Sequence, residues 1–264
     1  MYYDMHTHSE FSTDSHMTMT EAIRSALQKG LTGIAFTDHI DLDFIGHEQE
    51  FQFDIAEYFK QIEPLIDLYK GSLDIIKAVE VGIQPHVLQE THRFVQGFPY
   101  DFIIGSTHLF NRKDPYEPVF FAAEKSKQQL YEECLVCIYE NIKSYPDFDV
   151  LAHLDYQVRN APYPDAVFYY KDYADLLDEI FRYIIQKGIG LEINTSTYKA
   201  VPLDINWLIR YRELGGELVT LGSDAHYAQN IAQCFDAHIE ILRSCGFRYI
   251  AHYKKRSPVL YPIN

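Results

Sequence analysis

The chain has 264 residues and a formal net charge of −15, with 47% hydrophobic and 23% charged residues. That length can bury a substantial core in one large domain or two small ones, and the composition excludes wholesale disorder. The acidic balance opposes non-specific binding to nucleic-acid backbones. No apolar run approaches the ~18 residues of a membrane span. The opening "MYYDMHTH" has neither the basic start nor the apolar stretch of a signal peptide, so a cytoplasmic protein is expected.

A unit recurs along the chain: an amphipathic segment stopping at glycine, an apolar strand-like run, then polar or ionisable residues at its exit. "YYDMHTH" reads as a first strand, with His6 and His8 two apart and therefore on one face of an extended chain. "TMTEAIRSALQKG" reads as a helix, with Thr18 and Glu21 at capping-box spacing and Gly30 as its stop. "LTGIAF" follows as a buried strand ending in Thr37-Asp38-His39, where adjacent positions face opposite sides, so one of Asp38 and His39 should face inward.

Further strand runs are "LDIIKAVEVG", "YDFIIGSTH", "FDVLAHLD", "GIGLEINTS" and "ELVTLGSDAH". Helical stretches are predicted near 54–70, 86–95, 124–143, 169–187, 204–214 and 230–244. "FRYIAHY" is a possible eighth strand. Strands alternating with helices over this length favour an α/β fold of the (β/α) barrel type, with function at the C-terminal strand ends. No composition shift divides the chain, so residues 1–264 are expected to form a single domain. "CLVC" holds Cys134 and Cys137 inside a helical pattern, and no second pair completes a zinc site, so structural thiols are expected.

The strand exits collect ligand-type residues: His6 and His8, then His39, Glu80, His108, His153, and finally Asp224 and His226, with Asp14 in the loop after the first strand. One histidine at such a place is most simply a hydrogen-bonded structural residue. Six at equivalent exits, with three carboxylates, point to a multinuclear metal site. Nitrogen and carboxylate donors without cysteine suit zinc, iron or manganese, and the donor count suits two or three divalent ions. Such a cluster supplies hydroxide near neutral pH and clamps a phosphoryl group. Arg159, six residues after His153, could hold phosphate oxygens or simply pair with a nearby carboxylate. His16 and His47 are placed at the surface.

Taken in order, "DMHTHSEFSTDS", "FTDH", "EVG", "STH", "AHLD" and "GSDAH" resemble the motifs of the PHP (polymerase and histidinol phosphatase) superfamily, from residue 4 to residue 226. The "HSEFSTDS" opening, "FTDHIDLDF" and "AHLDYQVRNAPYP" are most similar to its monofunctional histidinol-phosphate phosphatase group. The resemblance implies a distorted seven-stranded, TIM-like barrel, a trinuclear metal centre, and hydrolysis of L-histidinol phosphate in histidine biosynthesis by a metal-bound hydroxide. It implies one ion held by His6, His8, Glu80 and Asp224, a second by Glu80, His108 and His153, and a third by Asp14, His39 and His226. Arg159 and His39 are then expected to contact a small phosphate monoester, and Asp14, His39 and Arg159 to take part in catalysis. The donor of the leaving-group proton stays open among Asp14, His39 and His226.

Rival readings keep part of this picture. A phosphoesterase acting on nucleotides or other small esters has the same barrel and metals. An amidohydrolase-type barrel fits Glu80 and "SDAH" less well, and a metal-storage protein would bind ions without turnover. The acidic aromatic segment "DLDFIGHEQEFQFD" is either a lid for a cationic amine or a solvated loop.

Overall fold

The apolar runs become parallel strands in the computed structural model, which describes residues 2–47, 50–122, 125–197 and 203–263. They are β1 (Tyr3–Thr7), β2 (Gly33–Phe36), the two-residue β3 (His39–Ile40), β4 (Asp74–Gly82), β5 (Phe102–Ser106), β6 (Val150–Leu151), β7 (Gly190–Asn194) and β8 (Val219–Gly222). Between them run α1 (Met19–Gln28), α2 (Ile55–Tyr69), α3 (Leu88–Val95), α4 (Lys127–Ser144), α5 (Ala174–Lys187) and α6 (Ile205–Glu213). α7 (Phe235–Ser244) follows the last of these strands. The capping box read from Thr18 and Glu21 is present at the start of α1, and α4 begins with a second one built from Ser126 and Gln129. α5 stops at Gly188, which adopts the left-handed conformation at φ 70°.

The sheet runs in the order β1-β2-β4-β5-β6-β7-β8, with β3 paired onto β4 through His39↔Glu80 and Ile40↔Val81. Seven parallel strands therefore nearly close into a barrel. Its seam, between β1 and β8, is joined by a bridge from Thr7 to Ala225, by Asp224 N donating to His6 O (2.8 Å) and by His8 N donating to Ala225 O (2.9 Å). Strand alternation splits the side chains into two layers. Met5, Ala35, Ala78, Phe102, Ile104 and Val150 fill the barrel, while Ile34, Val79, Leu191 and Leu221 pack outward against the helices.

The run "FRYIAHY" corrects one expectation, because it does not become an eighth barrel strand. Its residues enter β9 (Tyr249–Lys254), which pairs antiparallel with β10 (Ser257–Pro262) in a separate two-stranded sheet. The two-residue turn Lys255-Arg256, at φ 50° and 63°, has the twist that suits a tight hairpin. Ala251 and Tyr253 of β9 join the inner apolar layer. Cys134 is buried and Cys137 half-buried on α4, both free. No helix among the described residues is long and apolar enough to cross a membrane.

The outer wall carries a charged knot. Asp178 on α5 accepts hydrogen bonds from Arg210 Nε (2.9 Å) and Nη2 (2.7 Å) on α6, from Arg182 (2.9 Å) and from Tyr170 (3.0 Å). The Arg210 hydrogen bonds hold its carboxyl below the ordinary carboxylate range. A depressed folded-state pKa contributes stability that is complete above the unfolded value and is lost as the pH falls through the folded one. Asp178→Asn is therefore expected to cost about 1–2 kcal/mol at neutral pH, discounted because both arginine heads are partly solvated. Denaturant unfolding of the two proteins should converge at acid pH; a gap that persists there would refute the charge origin of the effect.

Candidate metal centre

Alternation that fills the barrel with apolar groups also decides what crowns it. Ile76 and Ala78 face inward on β4, so Glu80 does too, and Phe102 and Ile104 on β5 are continued by Ser106 and His108. On β7 the inward positions are Gly190, Glu192 and Asn194, and on β8 they are Thr220 and Gly222, followed by Asp224. β1 breaks this rhythm. Asp4 pairs with Ile34 but Thr7 with Phe36, so β1 carries one extra residue, a bulge that lets His6 reach the barrel mouth although its neighbour Met5 also points inward. Gly222 leaves the room this needs, since a Cβ there would come within 2.3 Å of Glu192 Oε1 and 2.5 Å of the His6 Cβ.

The nine ligand-type residues read from the strand exits lie together. Glu80 is at the centre, fully buried, with its two oxygens addressed from different sides. Oε2 lies 3.2 Å from His6 Nε2, 3.5 Å from His8 Nε2 and 3.0 Å from His39 Nδ1. Oε1 lies 2.9 Å from His153 Nε2 and 3.2 Å from His108 Nε2, and it accepts the Ser106 hydroxyl at 2.5 Å. Asp224 Oδ1 is 3.1 Å from His8 Nε2 and 3.6 Å from His6 Nε2. Nearer solvent, Asp14 Oδ2 lies 3.1 Å from His226 Nε2 and 3.6 Å from His39 Nε2. Of Asp38 and His39, His39 is the one in the cluster; Asp38 accepts from Ser9 and Ser12 and ties down the loop after β1.

The donor set fits divalent cations on grounds of proton placement. His6 Nδ1 donates to Glu192 (2.6 Å), His108 Nδ1 to Asp41 (2.9 Å) and His226 Nδ1 to the Asp224 carbonyl (3.0 Å). The Ser12 hydroxyl proton goes to Asp38, so Ser12 accepts from His8 Nδ1 at 3.0 Å. Each of these rings thereby keeps its proton on Nδ1 and turns Nε2, the nitrogen an ion would take, toward the centre. His6 and His8 Nε2 are 3.1 Å apart, and His108 and His153 Nε2 are 3.3 Å apart. Were both nitrogens of a pair unprotonated their lone pairs would repel, so a proton or a metal ion belongs between them. Without an ion the imidazoles divide the charge. Burial opposes protonation of His6, but Glu192, Glu80 and Asp224 carry its pKa well above the ordinary value. Burial and the neighbouring His226 and His39 push His8 down to about 3. The trios His6–His8–Glu80, His39–Glu80–His108 and His8–His39–His226 each offer ligand atoms within 4.8 Å of one another.

Arg159 extends from a short 3-10 turn after β6. Its Nη2 donates to Asp224 Oδ2 at 2.6 Å, its Nε donates to Thr197 at 3.2 Å, and its guanidinium lies 5.0 Å from the Tyr156 ring centre. It thus pairs with a carboxylate, and the pair faces the site. Arg159 and Asp224 border a cavity of about 440 Å³ whose other walls include His39, His226, Phe44 and Phe51. The last two come from the "DLDFIGHEQEFQFD" segment, of which residues 48 and 49 lie outside the described residues. His16 and His47 are exposed, as expected.

Sequence reasoning missed the residues that aim the ligands. Glu192 binds His6 Nδ1 and the His153 N–H (2.8 Å), and Asp41 fixes His108. Asp4 accepts from Ser223 N (2.9 Å), Ser223 Oγ (2.6 Å) and Ala232 N (2.8 Å), tying the β8 exit to β1. Burial pushes its pKa up to about 6 against those hydrogen bonds. The signals were present: Asp4 and Asp41 stand two residues from His6 and His39, and Glu192 is the one ionisable residue within "GIGLEINTS".

Comparison with known proteins identifies the family. A probable histidinol-phosphatase of Clostridium acetobutylicum is 33% identical over 258 residues, covering 97% of this chain and 98% of its own. The histidinol-phosphatase of Lactococcus lactis is 30% identical over 253 residues, covering 95% and 93%. The crystal structure of a histidinol phosphate phosphatase from L. lactis, complexed with zinc, L-histidinol and phosphate, superposes with a TM-score of 0.88 at 29% identity over 98% of this chain and all of that one. The sequence profile of the PHP domain matches residues 4–196, which span β1 to the exit of β7 and most of the cluster built on Glu80, and the chain belongs to that family.

Proposed function

We propose that this chain is a metal-dependent phosphomonoesterase that hydrolyses L-histidinol phosphate to L-histidinol and phosphate, a step of histidine biosynthesis, in the cytoplasm. The observation that carries the reading is the convergence of four histidine Nε2 atoms on the two oxygens of Glu80, with the Arg159 fork beside it, in a chain that is a full-length relative of histidinol-phosphatases. His6, His8, Glu80 and Asp224 would hold one ion, Glu80, His108 and His153 a second, and Asp14, His39 and His226 a third. Zinc is supported by the L. lactis structure, and the nitrogen and oxygen donors accept iron or manganese as well. Bound ions supply an activated water and neutralise charge on the phosphoryl oxygens.

The chain's own residues do the rest. Glu192, Asp41, Ser12 and the Asp224 carbonyl hold a proton on Nδ1 of His6, His108, His8 and His226, which leaves Nε2 of each ring as the nitrogen offered to an ion. Arg159 turns from Asp224 toward the substrate and takes phosphate oxygens bidentately, stabilising the charge of the transition state. Asp14, His39 and His226 line the open side, where a proton can reach the departing alkoxide. The rival reading, nucleotide esters, is not favoured by these relatives. The test is phosphate release by metal-reconstituted protein from L-histidinol phosphate beside nucleotides and sugar phosphates. A kcat/KM for histidinol phosphate well above the panel is expected, and a preference for nucleotides would overturn the substrate assignment.

A further inference from the structure

Among the described residues four carboxylates border the 440 Å³ cavity, and three already have cationic or histidine partners: Asp14 with His226, Asp41 with His108, and Asp224 with His8 and Arg159. The fourth, Asp114, makes no ion pair among the described residues. It stands in "NRKDPYEP", beyond the tight turn Asn111-Arg112, and its Oδ1 accepts the Tyr116 N–H at 2.8 Å, which fixes the carboxylate's direction. Tyr116, Tyr156, Phe44 and Phe51 share the cavity wall with it. Burial raises its pKa, opposed by the Tyr116 N–H and, at longer range, by His108 and His47, neither of which pairs with it directly. A half-buried anion among aromatic faces is a cation site: the carboxylate gives a charge-assisted hydrogen bond and the rings add cation–π attraction.

We infer that Asp114 is the anionic partner of the substrate's ammonium group, so that the cavity selects phosphate esters of amino alcohols over the same esters without the amine. This rests on the proposed phosphomonoesterase reading, which supplies the substrate's second, phosphate anchor at Arg159 and the ligand cluster. Asp114 then acts in binding and takes no part in the chemical step. A rival use of the same carboxyl, as the acid that protonates the leaving alkoxide, would act on every alkyl ester alike.

The experiment is steady-state kinetics of wild type and Asp114→Asn, each reconstituted with the same metal. The substrates are L-histidinol phosphate and 3-(imidazol-4-yl)propyl phosphate, its amine-free counterpart, with O-phosphoethanolamine and ethyl phosphate as a second pair. Asparagine keeps the acceptor for Tyr116, so the fold should be retained. The expected result is a fall of about 10- to 100-fold in kcat/KM for the amine-bearing ester of each pair, carried by KM, with the amine-free ester changed less than about threefold. Equal losses on both members of a pair, or no loss on either, would overturn the inference. Should wild type prefer some other ester to histidinol phosphate, the substrate assignment fails, while the ratio within each pair still decides the role of Asp114.

Discussion

Glu80→Gln is expected to lower kcat/KM for phosphate release by at least ~10³-fold and to leave less metal bound per chain. Several kcal/mol of transition-state stabilisation come from ions at such a site, and each 1.36 kcal/mol is a factor of ten. Glutamine keeps the volume of the buried side chain but removes the negative charge that faces five imidazoles. It also removes the ability of both oxygens to act as anionic ligands on two sides at once. The protein should still fold, because Glu80 is held by hydrogen bonds to the cluster and Ser106 and contributes little to the apolar layers. Metal content by elemental analysis and phosphate release should fall together. Activity within tenfold of wild type at full metal content would show that Glu80 does not hold the centre.

Arg159→Ala should separate binding of metal from binding of phosphate. The guanidinium is stacked against Tyr156 and paired with Asp224, a proposed ligand, so its removal frees Asp224 for an ion. Metal affinity is therefore expected to stay level or rise. Loss of the charged donor proposed to hold the phosphoryl oxygens should cut kcat/KM by about 10²- to 10³-fold. Lysine should restore little of this, because a point charge does not reproduce a planar two-pronged donor. A variant that lost its metal along with its activity would instead make Arg159 a support for Asp224.

Both variants concern residues that were legible in the sequence, and the reason is geometric. A parallel barrel points the same parity of each strand inward, so ionisable residues at the ends of apolar runs converge wherever the strands do. Glu80, His108 and Asp224 obey that parity, and His39 could be chosen over Asp38 by it in principle. His6 does not obey it and is delivered by a bulge that no period reveals. Glu192 and Asp41 were missed because their partners are ring nitrogens on other strands, a relation set by barrel closure rather than by spacing. The hairpin β9–β10 was half visible: "FRYIAHY" has strand character, but an antiparallel return depends on the left-handed pair Lys255-Arg256, which carries no glycine or asparagine to announce it.

The most direct measurement is a metal titration of chelator-stripped protein, following bound zinc, iron or manganese and the rate of phosphate release from L-histidinol phosphate in the same samples. No turnover is expected in the stripped protein, and a rate that returns only as the cluster around Glu80 fills, with two or three ions per chain at saturation. Full activity in protein shown to be metal-free, or saturation with ions and no turnover of any phosphate ester, would contradict it.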